Sequence, residues 1–366
     1  MENMTINSKN IVPAYAIHPG EMLKDEVDAR GIKQKDFAKL IGYNTTQLNE
    51  IIRGKRDFNA DFALKIGKAL NIDPAFWMGL QAQYDLDKAR IDEKNKARLE
   101  AIGVWEMMNN YIATTYLKKT GWISGNPIED IPKIKSLYNV SSIEEFPALY
   151  ANGHFRKSTK LEIDVLNLVA WTKIVAYKAN YVEVKKFNHF NQEILIAKLK
   201  EILKDNKKTL FKVQSLLQEY GIKLIIEDRP DKCPIDAYSF WSNGKPCIGM
   251  TLRHKRIDNF AFNLFHELGH VFLHLTNDNT VDFIDYENNN QKYKNSIEER
   301  QANDFATNQL IEAEAWSLFK RKETSFTDSV IKQFAIQQNV HPAVVIGRLG
   351  HELNYYPKTA IKKELM

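Results

Sequence analysis

Cysteine is almost absent from this chain. Only Cys233 and Cys247 occur in 366 residues. They lie fourteen positions apart, and no C-x-x-C is present, which argues against a disulfide framework and a cysteine-type zinc site. Cys247 sits in a strand-like run and reads as a small core residue. The first ten residues lack a basic stretch followed by an apolar one, so no signal peptide is expected. Long hydrophobic runs are also missing. The most apolar window, Val165 to Val182, is interrupted by Lys173 and Lys178 and is too polar to span a bilayer. The expectation is a cytoplasmic protein with no membrane partner. Neither sign of charge dominates: the net charge of +5 is too mild to name a partner. There is no internal repeat and no low-complexity tract, the nearest case being Asn288-Asn289-Asn290. What remains is ordinary for a globular protein, 44% hydrophobic and 27% charged, with length enough for two or three domains.

Periodicity divides the chain into three parts: residues 1–90, 91–190 and 191–366. The expected fold class is mainly α with a small β-sheet (α+β). An N-terminal bundle of short helices leads into a helical connecting region, and a domain holding the small sheet closes the chain.

From His18 to Arg90, short helical patterns are separated by Gly31, Gly42, Gly54 and Pro74. With Gln34 as the first position of a helix-turn-helix, Ala38 falls where two helices cross. Gly42 then falls in the turn, where a positive φ is easiest for glycine. Leu48 and Ile51 become buried residues of the second helix. That recognition helix runs from about Thr45 to Arg53. Gln34, Thr45, Thr46, Gln47 and Asn49 are candidates to hydrogen-bond base edges or phosphates. Arg53, Lys55 and Arg56 are candidates to neutralise backbone phosphates. Acidic Glu21, Asp25, Glu26 and Asp28 crowd the first helix, so any positive potential is local. A plain helical bundle that serves only for dimerisation or docking fits the same pattern.

The residues His18-Pro-Gly-Glu-Met-Leu23, Gly31-Ile-Lys-Gln34, Leu48 to Arg56, Asn59-Ala-Asp61, Trp77 to Gln81 and Tyr84-Asp-Leu86 closely resemble HigA-type antitoxins of the XRE-like helix-turn-helix superfamily. The resemblance implies a homodimeric domain that binds operator DNA, often its own.

The middle part is the least informative. Ala97 to Tyr116 and Leu161 to Tyr177 read as amphipathic helices, and Gly121 to Pro132 and Pro147 to Gly153 as loops. Its frequent aromatics, among them Trp105, Tyr116, Trp122, Tyr138 and Trp171, read as core.

In the last part, Ile222 to Glu227, Asp236 to Trp241 and Pro246 to Leu252 read as three strands, the last two joined by a turn at Ser242-Asn-Gly-Lys245. An apolar helix follows, carrying His266-Glu267-Leu268-Gly269-His270. Residues i and i+4 of a helix share a face, so both imidazoles can reach one Zn2+ about 2 Å away. Glu267 is then placed to act as general base on the water that zinc activates. Asn277 to Asn295 reads as a polar loop and Ser296 to Ile311 as a second long helix.

The H-E-L-G-H helix and the stretch Ser296 to Ala306 together resemble the ImmA/IrrE family of metallopeptidases, whose second helix carries E-x-x-A-N-x-F-A. The resemblance makes Glu299 the third ligand, with Glu298 the substitute if the helix is out of phase by one. It extends to Gly244–Arg253 and Val345–His351. Leu310-Ile-Glu312 departs from it, since many members have proline at the last position. His274, two turns beyond His266, is roughly 12 Å along the helix from it and reads as a supporting residue rather than a ligand. Tyr238, Arg253, Arg348 and His351 are candidates to stabilise an oxyanion, and Pro246 to Leu252 to hold a substrate chain by strand addition. Ile331 to Val345 faintly repeats helix-turn-helix spacing, with Asn339 in the turn, and reads as a packed helical pair.

Two functions compete. In the first, an antitoxin-like transcriptional regulator carries a zinc-dependent endopeptidase that hydrolyses a specific protein: a repressor, a toxin or itself. In the second, a DNA-binding repressor or antitoxin uses its zincin-like domain only to bind a partner such as a toxin. Intact His266, Glu267, His270 and Glu299 favour the first, because pure binding needs no general base.

Overall fold

The computed structural model describes residues 13–150, 164–275, 282–286, 296–323 and 325–366. Most of the expected Asn277 to Asn295 loop, the end of the Pro147 to Gly153 loop and the start of the Leu161 to Tyr177 helix lie outside the described residues. The chain divides into two units, residues 1–106 and 107–366.

The first unit is helical: α1 (Pro19–Ala29), α2 (Gln34–Leu40), α3 (Thr45–Ile52), α4 (Ala60–Leu70), α5 (Pro74–Ile91) and α6 (Glu93–Met108), whose last turn crosses into the second unit. Most of these helices begin at a side chain that accepts a backbone N–H. His18 Nδ1 caps α1, Asn44 caps α3, Asn59 caps α4 and Asp73 caps α5. Between α2 and α3 the chain turns at Gly42, with φ of +74°. Phe37, Ala38, Leu48, Ile51, Phe62, Ile66 and Trp77 form one buried core. Each large side chain so buried stabilises the unit by roughly 1.5–3 kcal/mol before entropy is counted. Gly20 is required for this packing, because a Cβ there would stand 2.2 Å from the carbonyl oxygen of Ile51.

The second unit begins with α7 (Thr114–Lys119), α8 (Pro127–Tyr138), the short α9 (Phe146–Leu149) and α10 (Val165–Ala179). The predicted Ala97 to Tyr116 helix is thus broken after Met108. Then come α11 (Gln192–Asp205), α12 (Thr209–Glu219), β1 (Lys223–Ile226), β2 (Ile235–Ser242), β3 (Lys245–Met250), α13 (Ile257–Leu273), β4 (Phe283–Tyr286), α14 (Ile297–Leu310), α15 (Ala313–Lys322), α16 (Asp328–Gln337) and α17 (Pro342–Leu353). The β2–β3 hairpin turns on Asn243 and Gly244, both with positive φ, as a two-residue turn matching strand twist demands.

Among the described residues the sheet has four strands, ordered β1-β3-β2-β4, with β1 parallel to β3 and the other pairs antiparallel. Two expectations are corrected. A fourth strand falls within the segment read as a polar loop; its Asp285 and polar flanks hide it from a periodicity test. And β3 is interior, hydrogen-bonded on both sides, so Pro246 to Leu252 offers no edge for a substrate strand. Among the described residues the edges belong to β1 and β4.

Alternation separates the sheet's faces. Ala237, Ile248 and Met250 join Leu264, Phe265 and Leu268 of α13 in one core. Gly249, opposite Tyr238 in the register, lies against Trp171 and Val175 of α10 on the other face. The sheet is therefore covered by α10 on one side and α13 on the other. Asn339, with φ of +55°, turns the chain between α16 and α17, which pack Phe334, Ala335 and Val345 into the same core as α13. No helix among the described residues is long and apolar enough to cross a membrane.

Candidate metal centre and nucleic-acid interface

α13 and α14 pack closely, and the packing has a local cause. A Cβ on Gly269 would stand 3.0 Å from Ala302 Cα and 3.3 Å from Phe305 Cβ. A small residue on each helix lets Glu299 of α14 reach across to α13. Its Oε2 lies 3.5 Å from His266 Nε2 and its Oε1 3.4 Å from His270 Nε2, and the two Nε2 atoms are 3.1 Å apart. Glu298, one residue earlier, faces solvent, whereas Glu299, His266 and His270 are all buried. Among the described residues these three form the one group of His, Cys, Asp and Glu side chains that could hold a metal ion.

The donor set fits a divalent ion. Bonds of about 2.0–2.1 Å to a tetrahedral ion would put donor atoms about 3.3 Å apart, close to the three distances observed. His266 Nδ1 lies 3.1 Å from Asn303 Oδ1, an acceptor, so Nδ1 carries the proton and Nε2 presents a lone pair. Burial pushes the His270 imidazole down to about 4, against the opposing pull of Glu299, so it is neutral at pH 7. Burial alone would raise the Glu299 carboxyl, but His266 and His270 together bring it down to about 2. A neutral His270 and an ionised Glu299 are the charge states that metal ligation requires of them.

Glu267 is fully buried beside the two histidines and accepts a hydrogen bond at Oε2 from the Ser239 hydroxyl of β2. Ser239 and Asn303 escaped sequence reasoning. Asn303 was signalled by its place one turn after Glu299 in E-x-x-A-N-x-F-A. Ser239 was signalled only by being polar on the inward face of an otherwise apolar strand. Phe283 of β4 stacks on the His270 ring, with centroids 4.3 Å apart, so the β4 side of the sheet borders the centre. One helical turn away along the same helix faces, Phe262 and Asn303 open a cavity of about 540 Å3. Thr307, Ile311, Ile346 and Arg348 continue its wall.

Of the candidate oxyanion stabilisers, Tyr238 projects from the α10 face of β2, opposite Ser239, and donates its hydroxyl to Asp282 at 3.0 Å. Arg253 lies 3.9 Å from Asp236. Arg348 is held by Glu352, by the Ile311 carbonyl at 3.0 Å and over the Trp316 ring. His351 is exposed at the cavity rim.

In the first unit, α3 starts at a capping box: Asn44 accepts from the Gln47 N–H at 2.7 Å, and Gln47 Oε1 accepts from the Asn44 N–H at 3.2 Å. Gln47 therefore has its oxygen engaged and its amide nitrogen left for other contacts. Thr46, Arg53, Lys55 and Arg56 are exposed, and Gln34, Thr45, Gln47 and Asn49 are half-buried. Arg56 lies 3.9 Å from Glu50, an exposed pair worth little energetically.

These observations define a helix-turn-helix protein that carries a second, zincin-like domain. Residues 23–77 match the helix-turn-helix family model, and residues 217–336 match that of the IrrE N-terminal-like domain. Virulence-associated protein A' of Dichelobacter nodosus is 41% identical over 83 residues, spanning 22% of this chain and 72% of that protein. Virulence-associated protein I of the same organism is 35% identical over 88 residues, 24% of this chain and 80% of that protein. Among solved structures, an addiction-module antidote protein of the HigA family from Coxiella burnetii is 32% identical, covering 24% of this chain and 95% of that one, with a TM-score of 0.22. A Pseudomonas aeruginosa protein solved with its operator DNA is 32% identical, covering 22% of this chain and 90% of that one, with a TM-score of 0.21. The chain belongs, through its N-terminal region, to the helix-turn-helix family of these virulence-associated proteins and carries an IrrE-like domain in its C-terminal region.

Proposed function

We propose that the protein is a DNA-binding regulator whose C-terminal domain is a zinc-dependent endopeptidase acting on a specific protein: a repressor, a toxin or the chain itself. Residues 1–90 would read operator DNA as a homodimer, 91–190 connect, and 191–366 cut. The observation that carries the enzymatic half is the convergence of His266, His270 and Glu299 beside the buried Glu267. Zinc held by those three would polarise a water molecule and a peptide carbonyl. Glu267 accepts a proton from the water and hands it to the leaving amine, and Ser239 fixes the orientation of its carboxylate. The edge strand β4 offers the substrate backbone a pairing partner. The cavity behind Phe262 offers room for a side chain.

The DNA-binding half rests on the capped α3 and on the side chains assigned to it. Thr45, Thr46, Gln47 and Asn49 would reach base edges, Gln34 a phosphate from the start of α2, and Arg53, Lys55 and Arg56 the backbone.

The first test is the metal content of natively purified protein beside a His270→Ala control. About one zinc per chain, lost in the control, supports the centre; no zinc even after its addition rejects the enzyme. Glu267→Gln should then keep zinc and abolish an EDTA-sensitive cleavage of a co-expressed partner. A zinc-loaded protein that copurifies with an uncut partner would instead mark a non-proteolytic, partner-binding domain.

A further inference from the structure

We infer that Gln301 and His274 form a relay that fixes the tautomer of His270, making both positioning residues for the metal centre; the inference rests on His270 being a ligand. The two residues were not joined by any sequence pattern. His274 caps the end of α13, and Gln301 sits on the exposed side of α14. In the structure, His274 Nε2 lies 2.9 Å from Gln301 Oε1, and His274 Nδ1 lies 3.0 Å from His270 Nδ1.

The proton positions follow from donor and acceptor counting. Gln301 Oε1 can only accept, so His274 donates to it from Nε2. A His270 that ligates a metal through Nε2 has its proton on Nδ1, and His274 Nδ1, 3.0 Å away, is the acceptor. His270 Nε2 then presents a lone pair toward Glu299 and His266. A surface amide thus dictates, through two imidazoles, which nitrogen of a buried ring is open to a cation. His266 reaches the same state in one step, through Asn303.

The two supports differ in a way that matters. Asn303 is directly behind its histidine, whereas the His270 support runs outward to an exposed residue. Phe283 of β4 packs against both rings, with centroids 4.3 Å from His270 and 5.4 Å from His274. Apolar contact lies on that side, and among the described residues the relay is the polar path from His270 Nδ1. Partners of this kind behind a ligating histidine typically change metal affinity by roughly 10- to 100-fold when removed.

The test uses the full-length protein and zinc affinity, measured by competition with a chromophoric chelator. Gln301→Met keeps length and volume but removes the acceptor; Gln301→Glu keeps an acceptor. Gln301 is exposed, so neither change threatens the fold. The expected result is a several-fold loss of zinc affinity in Gln301→Met, affinity equal to or above wild type in Gln301→Glu, and a loss of roughly tenfold or more in His274→Ala. The double variant His274→Ala/Gln301→Met should bind no more weakly than His274→Ala, because Gln301 acts only through His274. Nitrogen-15 spectra of the zinc-loaded protein should show His274 as the Nε2–H tautomer. Wild-type affinity in Gln301→Met, a Gln301→Glu loss equal to it, additive losses in the double variant, or His274 protonated on Nδ1 would each overturn the relay. Failure of wild-type protein to bind zinc would reject the metal reading itself, a separate result.

Discussion

Gly269 lies so close to Ala302 that a single added carbon would sit 3.0 Å from the neighbouring Cα. This contact sets the distance at which Glu299 meets the two histidines, and it gives the glycine of H-E-L-G-H a structural reason. Valine at 269 would force α13 and α14 apart by more than a side chain can absorb. The expected outcome for Gly269→Val is a folded but destabilised protein, by about 1–3 kcal/mol, whose zinc affinity falls more than its stability does. Equilibrium denaturation and metal titration on the same preparation measure both. Unchanged zinc affinity would mean that the helix spacing does not govern the centre.

Ser239 is the only hydroxyl on the α13 face of β2 and donates to a fully buried carboxylate. Ser239→Ala leaves Glu267 without that donor, at a cost of about 1–3 kcal/mol in stability, while the three metal donors keep their places. Zinc content should stay at the wild-type level in this variant. Loss of zinc together with stability would show that Ser239 supports the whole centre rather than Glu267 alone.

How far the sequence anticipated these relationships follows from the range of the forces involved. The helix-turn-helix was legible because its determinants are local: Ala38, Gly42 and the Asn44 cap all act within a few residues. The i, i+4 histidines were legible for the same reason. Glu299 required a family pattern, because only the packing of Gly269 on Ala302 brings it to the histidines from a distant helix. β4 and the interior position of β3 were not legible. Strand order is set by pairing between segments far apart in the chain, and a short polar edge strand has no apolar period to betray it. The role of Ser239 depends on that same sheet order, and the Gln301–His274 contact on the helix pair.

The Asn44–Gln47 capping box predicts a separable effect in the first unit. Asn44→Ala removes the side-chain acceptor at the start of α3 and should destabilise this unit by about 1 kcal/mol. Arg53→Ala, Lys55→Ala or Arg56→Ala should leave stability within about 0.5 kcal/mol, since all three are exposed. If these cations meet DNA phosphates, each of the latter three should weaken binding to the protein's own promoter and reduce the salt slope by about one. A slope indifferent to all three would assign the unit to dimerisation or docking.

Glu352 supplies the pH-dependent prediction. Its carboxylate accepts from Trp316 Nε1 at 2.7 Å, Lys320 Nζ at 2.8 Å and Arg348 Nε at 2.6 Å. Burial alone would raise its pKa, but the three donors bring it from 4.5 down to about 2. A carboxyl depressed in the folded state stabilises the protein above its unfolded pKa and loses that contribution as pH falls through the folded value. The window is therefore from about pH 4.5 down to about pH 2, and because Glu352 is exposed and its charges are screened by solvent, the contribution at pH 7 is on the order of 1 kcal/mol. Glu352→Gln should lower the urea midpoint at pH 7, and its difference from wild type should shrink steadily below pH 4.5. The same cluster holds Arg348 over the Trp316 ring at the cavity wall, so Arg348→Ala should show a comparable loss with the same pH window. If Arg348→Ala instead left stability unchanged while impairing cleavage, the arginine would belong to the substrate cavity rather than to the cluster that anchors α17 on α15.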